Sequence, residues 1–300
     1  MRAAATVAFF GLLAALWLTA RTFGVAPLLT PSAIAAAALL LAPFWAFGFG
    51  LAERLPKSPY LPLILVAAYP LFALPRGIFR WDMFLGMAAI VLAVGLLLAR
   101  SHRWIVLAIL GISVDLRFFD AAWPVPGLNS MMKLMFVDAG LYGFLVLDPI
   151  GDIGYDFRPR LRDFAIGLRE FLFFTPVAIA LGFALAFLHA HKTIPAPSAA
   201  AAGWIFTLFF IAVPEELFFR GLLLNLLSRK IGIPKALIIT SLLFGLAHFN
   251  KRAAYFNWRY VILAAIAGFF YGRAWLDRRR ILTSSITHAT VDTVWSIWLR

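Results

Sequence analysis

Long apolar runs recur along the chain, at 3–20, 32–51, 83–99 and 171–188 among others, and none of these four carries a charged residue. Each is long enough, or nearly so, to cross a hydrocarbon core about 30 Å thick. Inside lipid a spanning segment must satisfy its own backbone groups, which leaves only helices and closed barrels. The runs are continuous rather than alternating, so they read as helices. Candidate spans fall at 3–20, 32–51, 60–74, 83–99, 104–120, 131–147, 164–188, 200–227, 234–249, 258–276 and 281–299. The expected fold class is all-α: a polytopic membrane protein with roughly 8–11 transmembrane helices. A hydrophobic content of 63% agrees, because a soluble domain could not keep that much apolar surface from water.

Two spans are irregular. The stretch at 60–74 is short and reads as re-entrant, and Asp115, Arg117 and Asp120 interrupt 104–120. Residues 1–20 resemble a signal peptide, but the run is long and further spans follow, so an uncleaved first span is the reading adopted.

Charge narrows the class further. Lys and Arg (27) outnumber Asp and Glu (14), yet they sit in short loops between apolar runs, as membrane anchors do, so no nucleic-acid partner is expected. With no cysteine there is no disulfide framework and no thiolate chemistry. The loops near 54–57, 100–103, 158–162, 229–235 and 273–280 are the more basic set, which places "DRRR" at 277–280 and the N-terminus on the cytoplasmic side. The expected location is a bacterial inner (plasma) membrane. The Gly-, Pro- and charge-rich loop "DPIGDIGYDFRPRLRD" at 148–163 marks the internal boundary. It separates residues 1–160, where intramembrane charge is limited mainly to Lys133 and Asp138, from residues 161–300, which hold the polar groups that invite a functional reading.

Three helices in that second part carry such groups. In "VPEELFFRG" (213–221), Glu216 and Arg220 are four residues apart and share a helix face, where they can pair. Glu215 is rotated about 100° from Glu216 and is thereby turned toward other chemistry. In "LLFGLAHFN" (242–250), Phe244 and His248 share a face, and in "SSITHATVDTVW" (284–295) so do His288 and Asp292. Singly, each reads as an ion pair or packing histidine that ties helices together. Counted from the cytoplasmic helix ends, Glu215, His248, Asp292 and His288 lie about 20, 21, 18 and 12 Å deep, in one slab of membrane. Carboxylates and imidazoles at one depth make the layout of an acid–base site.

The set Glu-Glu-x-x-x-Arg, Phe-x-x-x-His and His-x-x-x-Asn/Asp, in that order on successive helices, resembles the CPBP (Abi or CAAX prenyl protease type II-like) family of intramembrane proteases. The likeness rests on Glu215, Glu216, Arg220, Phe244, His248, His288 and Asp292, within roughly 200–299. Asp292 stands where CAAX proteases typically have Asn. The resemblance implies hydrolysis of a peptide bond in a membrane-associated protein or peptide. Glu215 would serve as base toward water, and His248 would help hold that water. His288 would donate to the oxyanion. Asp292 would fix the His288 tautomer or donate, and Glu216 with Arg220 would support Glu215. A metal version uses Glu215, His248 and His288 to hold Zn²⁺ with a water in the open position. The chain lacks His-Glu-x-x-His, and the metal-free base is the version preferred. Two other classes stay open: a transporter or proton relay using the same groups, which an inverted repeat would favour, and a non-catalytic immunity or scaffold protein on the same fold.

Overall fold

The fold is taken from a computed structural model, which describes residues 6, 7, 9–11, 13, 14, 30–116, 118–123, 129–191, 195–252 and 255–299. Among the described residues every regular element is helical. The chain is an all-α polytopic membrane protein. Four helices, Pro31–Gly48, Trp81–Leu98, Leu161–Ala184 and Pro197–Ile231, are long and apolar enough to cross a membrane, and Leu61–Arg76 and Ile233–Leu246 are shorter apolar helices. The expected span at 3–20 lies largely outside the described residues. Two compact units divide at Gly151 and Asp152.

The first unit holds α1 (Pro31–Gly48), α2 (Leu61–Arg76), α3 (Trp81–Leu98), α4 (Arg103–Asp115) and α5 (Asn129–Tyr142). Thr30 caps α1 by accepting from the Ala33 N–H, with Pro31 at the first helical position, where its missing N–H costs nothing. The stretch read as re-entrant is one short helix, α2, tight at both ends and regular only over Ala68–Ala73; it stops at Gly77, whose φ of 66° is left-handed. Helix α4 ends at Asp115, the first of the charges that interrupt the expected 104–120 span. Its first residue, Arg103, grips Asp148 through two nitrogens at 2.6 and 2.5 Å.

The second unit holds α6 (Leu161–Ala184), α7 (Pro197–Ile231), α8 (Ile233–Leu246), α9 (Trp258–Arg278) and α10 (Ile281–Val294, extended by a wide turn over Trp295–Leu299). Gly232 alone joins α7 to α8, at a φ of 83° that favours glycine, and two residues join α9 to α10. Connections this short force antiparallel neighbours. Helix α8 packs along α9, and α10 is packed by α6 and α9. Exposed Leu168, Leu172 and Phe173 on α6 and Ile238, Leu242 and Leu246 on α8 present an apolar face suited to lipid.

A strap over residues 152–160 fixes where α10 begins. Gly154 carries a φ of +75°, and a Cβ there would lie 1.9 Å from the Arg279 carbonyl oxygen, so only glycine fits. The Gly154 carbonyl accepts the Ile281 N–H at 2.9 Å, and the Trp275 indole N–H donates to the Ile153 carbonyl at 3.2 Å. Arg280, largely buried, donates to Asp163 at 2.8 and 3.0 Å, to Asp156 at 2.9 Å and to the Arg158 carbonyl at 2.8 Å. Asp163 in turn accepts the Arg160 N–H and caps α6. Burial acts to raise the Asp156 carboxyl, but bonds from Arg158 and Arg280 outweigh it and hold the group below the usual carboxylate range. One arginine thus pins the starts of α6 and α10 together, which sets the depth of every functional group two or three turns further along α10.

Exposed Arg158, Arg160, Arg162, Arg229, Lys230 and Lys235 crowd the end of this unit where the strap lies. The positive-inside bias predicts that this end faces the cytoplasm. The cysteine-free chain allows a direct check. A cysteine placed at Ser228 is expected to resist labelling by an impermeant reagent on intact cells, and one at Asn250 to be labelled. The opposite pattern would invert the orientation.

Candidate active site

Helix α7 is not a regular α-helix through its polar stretch. Wide i→i+5 turns over Leu208–Ala212 and Leu217–Leu224 flank an α turn at Val213–Glu216 that contains Pro214. Such wide turns are frequent at functional sites. Pro214 offers no N–H to the ladder, so the backbone here is already released from regular pairing.

Glu216 is fully buried and Arg220 nearly so. Arg220 donates from Nη1 to Glu216 Oε1 at 3.0 Å and from Nη2 to the Gly268 carbonyl on α9 at 2.8 Å. Its guanidinium lies 4.6 Å from the Phe244 ring centroid and 5.4 Å from that of Tyr271. A charged pair in so dry a place needs these extra partners, because Coulomb attraction alone does not offset the desolvation.

The same carboxylate oxygen takes a second donor. His288 Nδ1 lies 2.9 Å from Glu216 Oε1, which marks Nδ1 as protonated. The other nitrogen, Nε2, lies 3.5 Å from Asp292 Oδ2 and 3.9 Å from Glu215 Oε2. The two adjacent glutamates, expected on different faces, therefore approach opposite nitrogens of one ring. An imidazole makes this possible, since its nitrogens point in divergent directions. Asp292, expected as the group that fixes the His288 tautomer, lies at Nε2, while Glu216 holds Nδ1.

In the turn just past α8, His248 Nδ1 donates to the Phe244 carbonyl at 2.9 Å, which leaves Nε2 as an acceptor. Its ring packs against Phe244 and against Tyr260 of α9 at centroid distances of 5.0 and 4.7 Å. His248, His288 and Asp292 all line one cavity of about 130 Å³ between α6, α8, α9 and α10, whose remaining wall is mostly apolar, with Phe174, Leu263 and Val291 among it.

All six predicted site residues thus lie in one neighbourhood of the second unit, linked through His288 or through its cavity. Sequence reasoning placed a span at 258–276 but missed what that helix, α9, supplies to the site: the Gly268 carbonyl, Tyr260 and Tyr271. It also missed the ion cluster beside it, where buried Glu170 meets Arg169 at 2.9 Å and Arg273 at 3.3 Å. The signal for that contribution was the Gly268/Gly272 spacing, which marks a face that lets neighbours approach closely.

The zinc set does not fit. Among the described residues no three His, Cys, Asp or Glu side chains are arranged to hold a metal ion. His248 and His288 each bond a protein partner through Nδ1, which leaves the two Nε2 atoms as the nitrogens a metal would take, and Glu215 and Asp292 stand 3.9 and 3.5 Å from the Nε2 of His288.

Residues 195–294, which span α7 to α10 up to Val294, match the type II CAAX prenyl endopeptidase Rce1-like family. That is the CPBP/CAAX protease family to which the three motifs point. Comparisons with curated proteins and with solved structures return no match.

Proposed function

We propose, from the CAAX-protease match of α7 to α10, that this chain is an intramembrane endopeptidase that hydrolyses a peptide bond of a membrane-anchored protein or peptide. The observation that carries the reading is the placement of His288 between Glu216 at one nitrogen and Glu215 with Asp292 at the other. A helix lock needs one such pair; three carboxylates around one imidazole beside a cavity suit proton transfer.

The groups divide the work as follows. Glu215 takes a proton from water as the water oxygen attacks the scissile carbonyl carbon. His248 Nε2 accepts the water's other hydrogen and holds it in line. His288, carrying both ring protons, donates Nδ1–H to Glu216 and Nε2–H to the developing oxyanion. With His288 charged, two cations stand among three carboxylates, so the cluster stays close to neutral in a medium that tolerates little net charge. Protonated Glu215 then passes its proton to the leaving amine as the C–N bond breaks. Asp292, at the cavity wall, orients Nε2–H, and Arg220 keeps Glu216 in place. Glu215, His248 and His288 touch reacting atoms; Glu216, Arg220 and Asp292 position them.

The mechanism is the glutamate-dependent version and routes no step through a metal. Purified protein in vesicles is therefore expected to cleave a bilayer-anchored peptide at an unchanged rate in excess chelator. Loss of cleavage that added Zn²⁺ restores would overturn this version. We place the protein in a bacterial inner (plasma) membrane, a reading that helical spans support because barrels cross the outer one.

A further inference from the structure

We infer that Tyr271, on helix α9, is a positioning residue that fixes the plane of the His288 imidazole. The inference rests on the endopeptidase reading for its kinetic arm only. The Cβ–Cγ bond and the hydrogen bond from Nδ1 to Glu216 hold the ring, but a single hydrogen bond leaves it angular play to rock about Cβ–Cγ. Rotation would swing Nε2 away from Glu215 and Asp292, which lie beyond ideal bonding distance at 3.9 and 3.5 Å and cannot hold it alone. The Tyr271 ring supplies the missing restraint. It lies nearly parallel to His288, at 16° and 4.6 Å between centroids. Phe244 meets both rings edge-on, at 5.7 Å from Tyr271 and 5.6 Å from His288, so the stack cannot slide freely. Tyr271 is itself immobilised, with only 1% of its surface exposed.

The same helix holds the other partner of Glu216. Gly268 lies one turn from Tyr271, and its carbonyl accepts Arg220 Nη2. A Cβ at Gly268 would come within 3.1 Å of Phe244 and 3.3 Å of Arg220, so the close approach depends on glycine. Both donors to Glu216 Oε1 are thus set by α9, one through a carbonyl and one through a ring face.

The test compares Tyr271→Phe, which keeps the flat face, with Tyr271→Met, which fills similar space without one; Tyr271→Leu replaces the Met variant if that protein does not fold. Ring nitrogen and carbon NMR signals of His288, assigned among the five histidines by their loss in His288→Gln, report the ring directly. The Phe variant is expected to keep these signals and to retain kcat within about 3-fold. The Met variant is expected to shift or broaden them and to lose about 10-fold or more in kcat at nearly constant KM, as removal of a transition-state contact requires. Wild-type His288 signals in the Met variant, or a wild-type kcat there, would overturn the inference, as would a Phe variant as impaired as Met. If the wild-type protein cleaves nothing, the endopeptidase reading fails and the NMR comparison alone decides the role of Tyr271.

Discussion

Replacing Glu215 with Gln is expected to lower peptide cleavage at least ~100-fold while the protein stays folded. The side chain keeps its shape but can no longer take a proton from water. Its place in the structure allows the exchange, since Glu215 is 13% exposed and its approach to His288 is a long 3.9 Å. Arg220, by contrast, pairs directly with Glu216. Melting in detergent, followed by intrinsic fluorescence, should therefore remain near the wild-type temperature. A Glu215→Gln protein that fails to fold would mean that this carboxylate is structural, and the assignment of the base would be wrong.

Glu216→Gln is expected to act the other way, on stability first. Glu216 is fully buried, and its Oε1 receives both Arg220 and His288. Removing the negative charge leaves a buried guanidinium without its counter-ion, at a cost of roughly 3–5 kcal/mol. Activity falls with it, because His288 loses the group that fixes Nδ1. The double variant Glu216→Gln with Arg220→Met should regain much of the stability, since both charges leave the apolar interior together. It should regain little activity, because the His288 anchor stays weakened. A Glu216→Gln protein that is stable but inactive, beside a Glu215→Gln protein that unfolds, would exchange the two roles.

Much of this was legible in the sequence for a simple reason. Charge inside an apolar helix is costly, so Glu215, Glu216, Arg220, His288 and Asp292 stand out against their neighbours. Continuous apolar runs likewise announce helices, because lipid offers the backbone no other partner. What stayed hidden has equally physical causes. Gly268 acts through a backbone carbonyl, which every residue has. Tyr271 sits in "GFFYG", where nothing separates a ring stacked on a histidine from rings that face lipid. Arg280 looked like one more loop anchor in "DRRR", yet it is the buried lock on Asp163 and Asp156. The positive-inside bias counts arginines but does not tell a solvated one from a buried one.

The depth reckoning shows a similar gap. Counted along ideal helices, His288 lies about a turn and a half shallower than Glu215. In the structure His288 touches the carboxylates of both glutamates. The wide turn at Leu217–Leu224 lies between Glu215 and the cytoplasmic end of α7, and it packs more residues into each turn than an α-helix does. A count at α-helical rise therefore overstates the depth of Glu215. No residue-type pattern in "LFFRGLLL" announces that turn.

The proposed reaction adds water, activated by Glu215, across a peptide bond within the membrane. It is tested most directly by incubating the purified protein in vesicles with a bilayer-anchored peptide in heavy-oxygen water and weighing the products. The account predicts two fragments, with one heavy oxygen in the new C-terminal carboxylate, and no fragments beyond background from Glu215→Gln. An intact peptide with the wild-type protein, or equal cleavage by wild type and Glu215→Gln, would contradict it.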